Sequence, residues 1–218
     1  MTVNTLIKKM NDHKQMTVGD FLDLIHVPEC VKTKDGIEYR VLGKLHRKDG
    51  PAVEYKCGNQ AWYKHGKLHR EDGPAAIYVD GREEWYLKGN LHRKDGPAIV
   101  NGIGAKYWYK NGNLHREDGP AIEKPGGLKE WYINGERHRI DGPAVEYSSG
   151  TKHWYQNNKL HREDGPAVES PVGNNQWYLN GKRHRTNGPA VEYTNGVNEW
   201  YIEGMRLTQE AVEAIRKS

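Results

Sequence analysis

The sequence predicts an all-β repeat array: an open, single-layer antiparallel sheet of about 14 to 15 short strands, with short N-terminal helices and a C-terminal capping helix. Three observations lead there. Trp stands at 62, 85, 108, 131, 154, 177 and 200, a constant step of 23, and each is followed by Tyr. Between successive Trp-Tyr pairs lie two turn clusters, Asn-Gly (as Asn134-Gly135) and Asp-Gly-Pro (as Asp141-Gly142-Pro143), each beside a short β-favouring run. Finally, Leu, Ile, Val and Phe make only 39 of the 218 residues, and aromatic surface comes from 7 Trp and 13 Tyr. With a mean hydropathy of −0.96 this is too little apolar material for the thick core of a layered enzyme.

Taken in chain order, residues 1–35 form a helical N-terminal cap region. Thr17-Val18-Gly19-Asp20 gives a capping-box-like start, and Phe21, Leu24 and Ile25 follow at helical spacing. Residues 36–204 hold the seven 23-residue repeats. In the repeat that runs from Trp131 to Trp154, a hairpin turns at Asn134-Gly135, and the Asp-Gly-Pro loop sets the chain extended into Ala144-Val145-Glu146-Tyr147. Two strands per repeat, each about 4.8 Å from its neighbour, predict a sheet roughly 65 to 70 Å long. Residues 205–218 form the C-terminal capping helix: Thr208 is placed to N-cap Gln209 to Lys217, and Leu207 and Val212 are placed as a hydrophobic staple.

Strand alternation assigns faces. Val145 and Tyr147 share one side, Ala144 and Glu146 the other, and Glu recurs at the position of Glu146 in five of the seven repeats. Trp131 and Tyr132 point to opposite sides, so an aromatic row runs along each face. The pattern leaves open which row meets the Val face.

Charge and cysteine content bound the function. Formal net charge is +4, far from the single-sign excess of a dedicated nucleic-acid binder. Cys30 and Cys57 are too few for a disulfide framework and lack zinc-site spacing. No apolar run reaches the roughly 20 residues that span a bilayer, and the opening Met-Thr-Val-Asn-Thr lacks a signal-peptide core, so a soluble cytoplasmic protein with no membrane span is expected.

Seven copies of His-Arg-x-Asp (Asn187 closes the last) invite a metal or catalytic reading. Equivalent histidines in adjacent repeats lie about 9.6 Å apart, too far to share a zinc ion, and no Ser or Cys recurs in phase as a nucleophile. No metal, no cofactor and no enzymatic activity is therefore expected. The imidazole is expected to donate to a turn carbonyl and the Asp to cap loop N–H groups. The arginines, among them Arg70, Arg93, Arg116, Arg139 and Arg162, form a basic stripe suited to phosphate if unneutralised, or pair with the Asp or Glu beside them and stack on Trp. The tyrosines after each Trp, namely Tyr63, Tyr86, Tyr109, Tyr132, Tyr155 and Tyr178, are the candidate partner-binding row, because a one-layer sheet cannot cover both aromatic rows by itself.

The unit itself, with its aromatic residue, Asn-Gly, His and second Gly before the next aromatic, resembles the MORN repeat over residues 37–204. Leu-His-Arg-x-Asp-Gly-Pro-Ala and the ending Gly204-Met205-Arg206-Leu207-Thr208 are similar to MORN-like accessory proteins of large tailed phages and giant viruses. The resemblance implies a non-enzymatic protein-binding module, a viral accessory factor that binds and inhibits or sequesters a host protein in the host cytoplasm. His-Arg in place of the common His-Gly means that the lipid contact associated with some MORN arrays is not carried over. Two alternatives stand beside it: a binder of nucleic acid or phosphorylated small molecules through the Arg row, and a self-associating scaffold such as a homodimer.

Overall fold

The computed structural model describes residues 27–217, and these form thirty short antiparallel strands and one helix. The expected helix at Thr17 to Ile25 lies outside the described residues. No helix among the described residues is long and apolar enough to cross a membrane. The chain divides into two compact units, with the boundary between Asn90 and Leu91.

Each repeat contributes four two-residue strands rather than the expected two. In the repeat of Trp131 these are Lys129–Glu130, Tyr132–Ile133, Glu136–Arg137 and Val145–Glu146. The break falls at Trp131, whose N–H donates to the carbonyl of Ala144 at 2.8 Å. Pro143 has no N–H to offer, so the ladder built by the Asn134-Gly135 hairpin cannot run on into the next strand. A strand count of 14 to 15 was too low for this reason. Asn134 at φ 52° and Gly135 at φ 87° make the tight turn that an Asn-Gly pair predicts.

In the first unit the sheet starts at Glu29–Lys32, inside the stretch expected to be helical cap. It continues through Gly36–Val41, Val53–Tyr55, Gln60–Ala61, Ala76–Ile77 and Glu83–Glu84, all antiparallel. In the second unit a meander runs from Ile99–Val100 to Asn198–Ile202, and a row of hairpins projects from it. The hairpins are themselves laddered: Gly135 N–H donates to Leu114 O at 2.8 Å and Arg116 N–H to Tyr132 O at 3.1 Å. Helix α1, Gln209–Lys217, closes this unit as expected. Thr208 Oγ1 accepts from Ala211 N–H at 3.3 Å, and Val212 is buried.

Register settles the faces. Glu130, Val145, His153 and Val168 are successive partners across the sheet, while Lys129, Glu146, Lys152 and Glu169 occupy the other side. Tyr132 donates its hydroxyl to Glu130, so the Tyr row shares the Val face, here called the inner face. Trp and Arg lie on the outer face with Glu146. The thin core follows the kinks: the alanines of Gly-Pro-Ala are wholly buried, including Ala52 and Ala75 in the first unit and Ala121, Ala144 and Ala167 in the second, with Val145 and Val191 beside them. An alanine with no exposed surface beside a backbone junction leaves no room for growth. Ala144→Leu should lower unfolding free energy by roughly 1–3 kcal/mol, read from the urea midpoint.

Candidate functional site

On the outer face one clamp recurs. Arg116 lays its guanidinium over Trp108, 4.1 Å from the ring centroid. Its Nε donates to Asp118 at 2.9 Å and its NH1 to Pro120 O at 3.2 Å and Glu123 at 2.9 Å. The loop thus closes on the first strand after it. A Cβ on Gly119 would lie 2.9 Å from the Arg116 Cζ, which is why this turn takes glycine. Arg70 on Trp62, Arg139 on Trp131 and Arg162 on Trp154 repeat the stack at 4.1 to 4.3 Å. The hydrogen bond from the guanidinium holds the Asp72, Asp118 and Asp164 carboxyls below their ordinary values. Arg93 NH1 likewise donates to Pro97 O. Within each unit these arginines are turned inward, each on its own loop.

The histidines act in the opposite sense to expectation. Rather than donating to a turn carbonyl, Nδ1 accepts from the backbone N–H of the left-handed turn residue in the following repeat: Asn111 to His92, Asn134 to His115 and Asn180 to His161, each at 3.1 Å. A left-handed residue points its N–H away from its own hairpin, so the acceptor must come from the neighbour. The proton then sits on Nε2, which in His115 donates to Glu117 at 3.1 Å. With both ring nitrogens engaged, His115 has no free position for general base chemistry.

Clefts of 470 to 720 Å³ separate successive His-Arg-x-Asp loops on this face. Their walls are a Trp edge and the paired Arg and Asp side chains. Among the described residues no group of three or more His, Cys, Asp or Glu is arranged to hold a metal ion. Cys30 and Cys57 are both exposed thiols.

The inner face is different. Tyr63, Tyr86, Tyr109, Tyr132, Tyr155 and Tyr178 all sit half-buried at the start of their hairpin strands. Tyr86 donates to Glu84 at 3.2 Å, Tyr132 to Glu130 at 2.9 Å and Tyr178 to Gln176 at 3.0 Å. Burial, reinforced by the neighbouring carboxylate, pushes the Tyr86 and Tyr132 hydroxyls up to about 12. Glu130 is only 7% exposed and is bridged by Arg137 Nε at 3.0 Å. Arg183 plays a similar part, donating to Tyr178 at 3.1 Å and to Tyr201 at 3.3 Å. His153 packs edge-on to Tyr147 at 5.1 Å, and burial together with the Arg137 charge pulls its pKa below the ordinary value.

Sequence reasoning missed these buried charges. The signal was in the repeats: Arg137 and Arg183 stand where Leu68, Leu114 and Leu160 stand elsewhere, and Glu130 lies seven residues before Arg137. Comparison between repeats divides the molecule. Trp, His, Arg, Gly, Pro and Ala recur and bond within the chain, whereas the residue two before each Tyr changes from Ala61 to Glu84, Tyr107, Glu130, His153 and Gln176.

A scan of protein-family models gives no match to this chain, and a search of curated proteins gives none either.

Two measurements probe these assignments. Arg116→Lys keeps the charge but loses the flat stack and the fork, and should cost roughly 1–3 kcal/mol in chemical denaturation. The folded state resists protonating His153 whereas the unfolded chain takes the proton near pH 6.5. Its contribution is therefore complete above about pH 6.5 and declines as pH falls from there through the lower folded value. His153→Gln lacks that penalty, so the stability difference, wild type minus variant, should shrink on acidification from pH 7 to 5.

Proposed function

We propose that the protein is a non-enzymatic binding module that holds a protein partner on its inner, tyrosine-bearing face. The observation that carries this reading is the division between repeats. The recurring arginines and histidines have partners inside the chain, while the inner face combines half-buried tyrosines with a row of side chains that differs from repeat to repeat. Solenoid arrays place specificity at such positions. Tyr and Arg, side chains that dominate binding hot spots, are concentrated there.

The phosphate-binding alternative requires guanidinium groups free to meet a ligand. Arg116, Arg139 and Arg162 instead stack on Trp and pair with carboxylates of their own repeat, which favours the protein partner. The likeness of the 23-residue unit to MORN-like accessory proteins of phages and giant viruses adds that the partner is a host protein met in the host cytoplasm, where it is inhibited or sequestered.

Site-specific crosslinking tests the assignment of faces. A photoreactive phenylalanine analogue at Tyr147, an exposed inner-face position, should give a discrete heteromeric adduct in host extract, and the same group at the exposed outer-loop Ile140 should not. Adducts from Ile140 alone would overturn the assignment. Adducts formed only between copies of this chain, with a dimer mass by light scattering, would support the scaffold instead. Binding that collapses between low and moderate salt would return the phosphate reading.

A further inference from the structure

The inner face of the first unit carries a buried carboxylate whose cation stays beyond hydrogen-bond distance. Glu38, Val53, Ala61, Ala76 and Glu84 are successive partners across five strands. The middle of this row is smaller than in the second unit, where Tyr107, Ile122, His153 and Gln176 take the equivalent places. Tyr55 and Tyr78 flank the row on one side, Tyr63 and Tyr86 on the other. Ala61 and Ala76 are nonetheless buried.

The two ends of the row are unlike. Glu38 is neutralised by Arg40, whose Nε donates to it at 2.8 Å. Glu84 is 8% exposed and accepts hydroxyls from Tyr78 at 3.3 Å and Tyr86 at 3.2 Å. Its ion-pair partner is Arg82, whose Nε stays 3.6 Å from Oε1; that Nε is itself buried and makes no hydrogen bond. The guanidinium of Arg82 lies over the Tyr78 ring instead, 3.7 Å from its centroid. The comparison with Glu130 is direct. That carboxylate, with a similar exposure and the same tyrosine two residues on, is closed by Arg137 at 3.0 Å, whereas the residue seven positions after Glu84 is Leu91.

A buried carboxylate is ordinarily matched by a hydrogen-bonded cation, and electron-rich tyrosine faces attract the same kind of group. Resting on the protein-binding reading above, we infer that Glu84, with Tyr55, Tyr78 and Tyr86, is a receptor for a cationic side chain, arginine or lysine, presented by a basic segment of the partner. Arg82 on Tyr78 shows in cis how a guanidinium lies on this surface. The incoming cation supplies for Glu84 what Arg137 supplies for Glu130, and the rings seat its aliphatic stem. Nucleic acid is disfavoured here, because a phosphate would meet a carboxylate.

The probe is an acetylated, amidated peptide of alternating arginine and glycine, titrated into the ¹⁵N-labelled full chain, beside a glutamate–glycine peptide of the same length. The arginine peptide should move the amides of Ala61, Ala76 and Glu84 saturably, and the glutamate peptide should not. Glu84→Gln, which keeps shape and removes charge, should weaken binding at least tenfold. Tyr55→Ala, at a ring already exposed to solvent, should weaken it severalfold and decides the matter if the Glu84 variant fails to fold. Equal binding of both peptides, no shift at these amides, or full affinity in both variants would overturn the receptor. Adducts from Tyr147 that persist in those cases would remove this site alone and leave the inner-face reading standing, whereas loss of the Tyr147 adduct with peptide binding intact would do the reverse.

Discussion

A guanidinium lying on an indole is the interaction on which this architecture rests. A sheet built from two-residue strands has almost no interior, so each loop between strands must be closed by contacts within its own repeat. Arg116 does this with one side chain: it covers Trp108, fixes Asp118, and reaches the Pro120 carbonyl and Glu123 on the next strand. The Pro that ends the loop breaks the ladder and creates the kink, and the Trp N–H reattaches the chain through the alanine carbonyl. Trp, Arg, Asp, Gly, Pro and Ala thus form one mechanical device, which explains why they recur together in the sequence.

A second device couples repeats. The left-handed residue of each hairpin, Asn in four repeats and His65, Lys88 or Glu203 in others, would leave its N–H without an acceptor, and the imidazole of the preceding repeat accepts it. Coupling therefore runs through backbone ladders and one side-chain acceptor per step, a nearest-neighbour scheme in which cooperativity is built from many equal increments. The Ala row contributes area too small to drive folding alone, so the polar clamps are structural rather than decorative.

The fold was largely legible because its determinants are local and periodic. The 23-residue step, the Asn-Gly turns, the opposed Trp and Tyr, and the helix at Gln209 to Lys217 all follow from residues that act within one repeat. Three features were not legible in the same way. The break at each Trp depends on a hydrogen bond to an alanine thirteen residues on. The role of His as acceptor depends on the φ of a residue nineteen positions away. The union of Tyr and Val on one face depends on register, which alternation alone leaves undetermined by one residue. The candidate site shows the same boundary. The Tyr positions could be named from the repeat, but Glu130 with Arg137 became a site only when the hairpin folded one side chain against the other.

The two faces answer to different constraints, and this bears on function. On the outer face each recurring arginine is bonded to its own loop through the proline carbonyl, so a substitution there damages the fold before it can tune a contact. Inner-face positions between the tyrosines vary in kind: Ala61, Tyr107, His153 and Gln176 occupy equivalent places in their repeats. Where a pair of charges is introduced there, it is either completed within the chain, as by Arg137, or left incomplete, as at Glu84. A buried pair without a hydrogen bond is costly to the molecule, so the same physics that closes Glu130 leaves Glu84, two repeats earlier, as the looser of the two carboxylates.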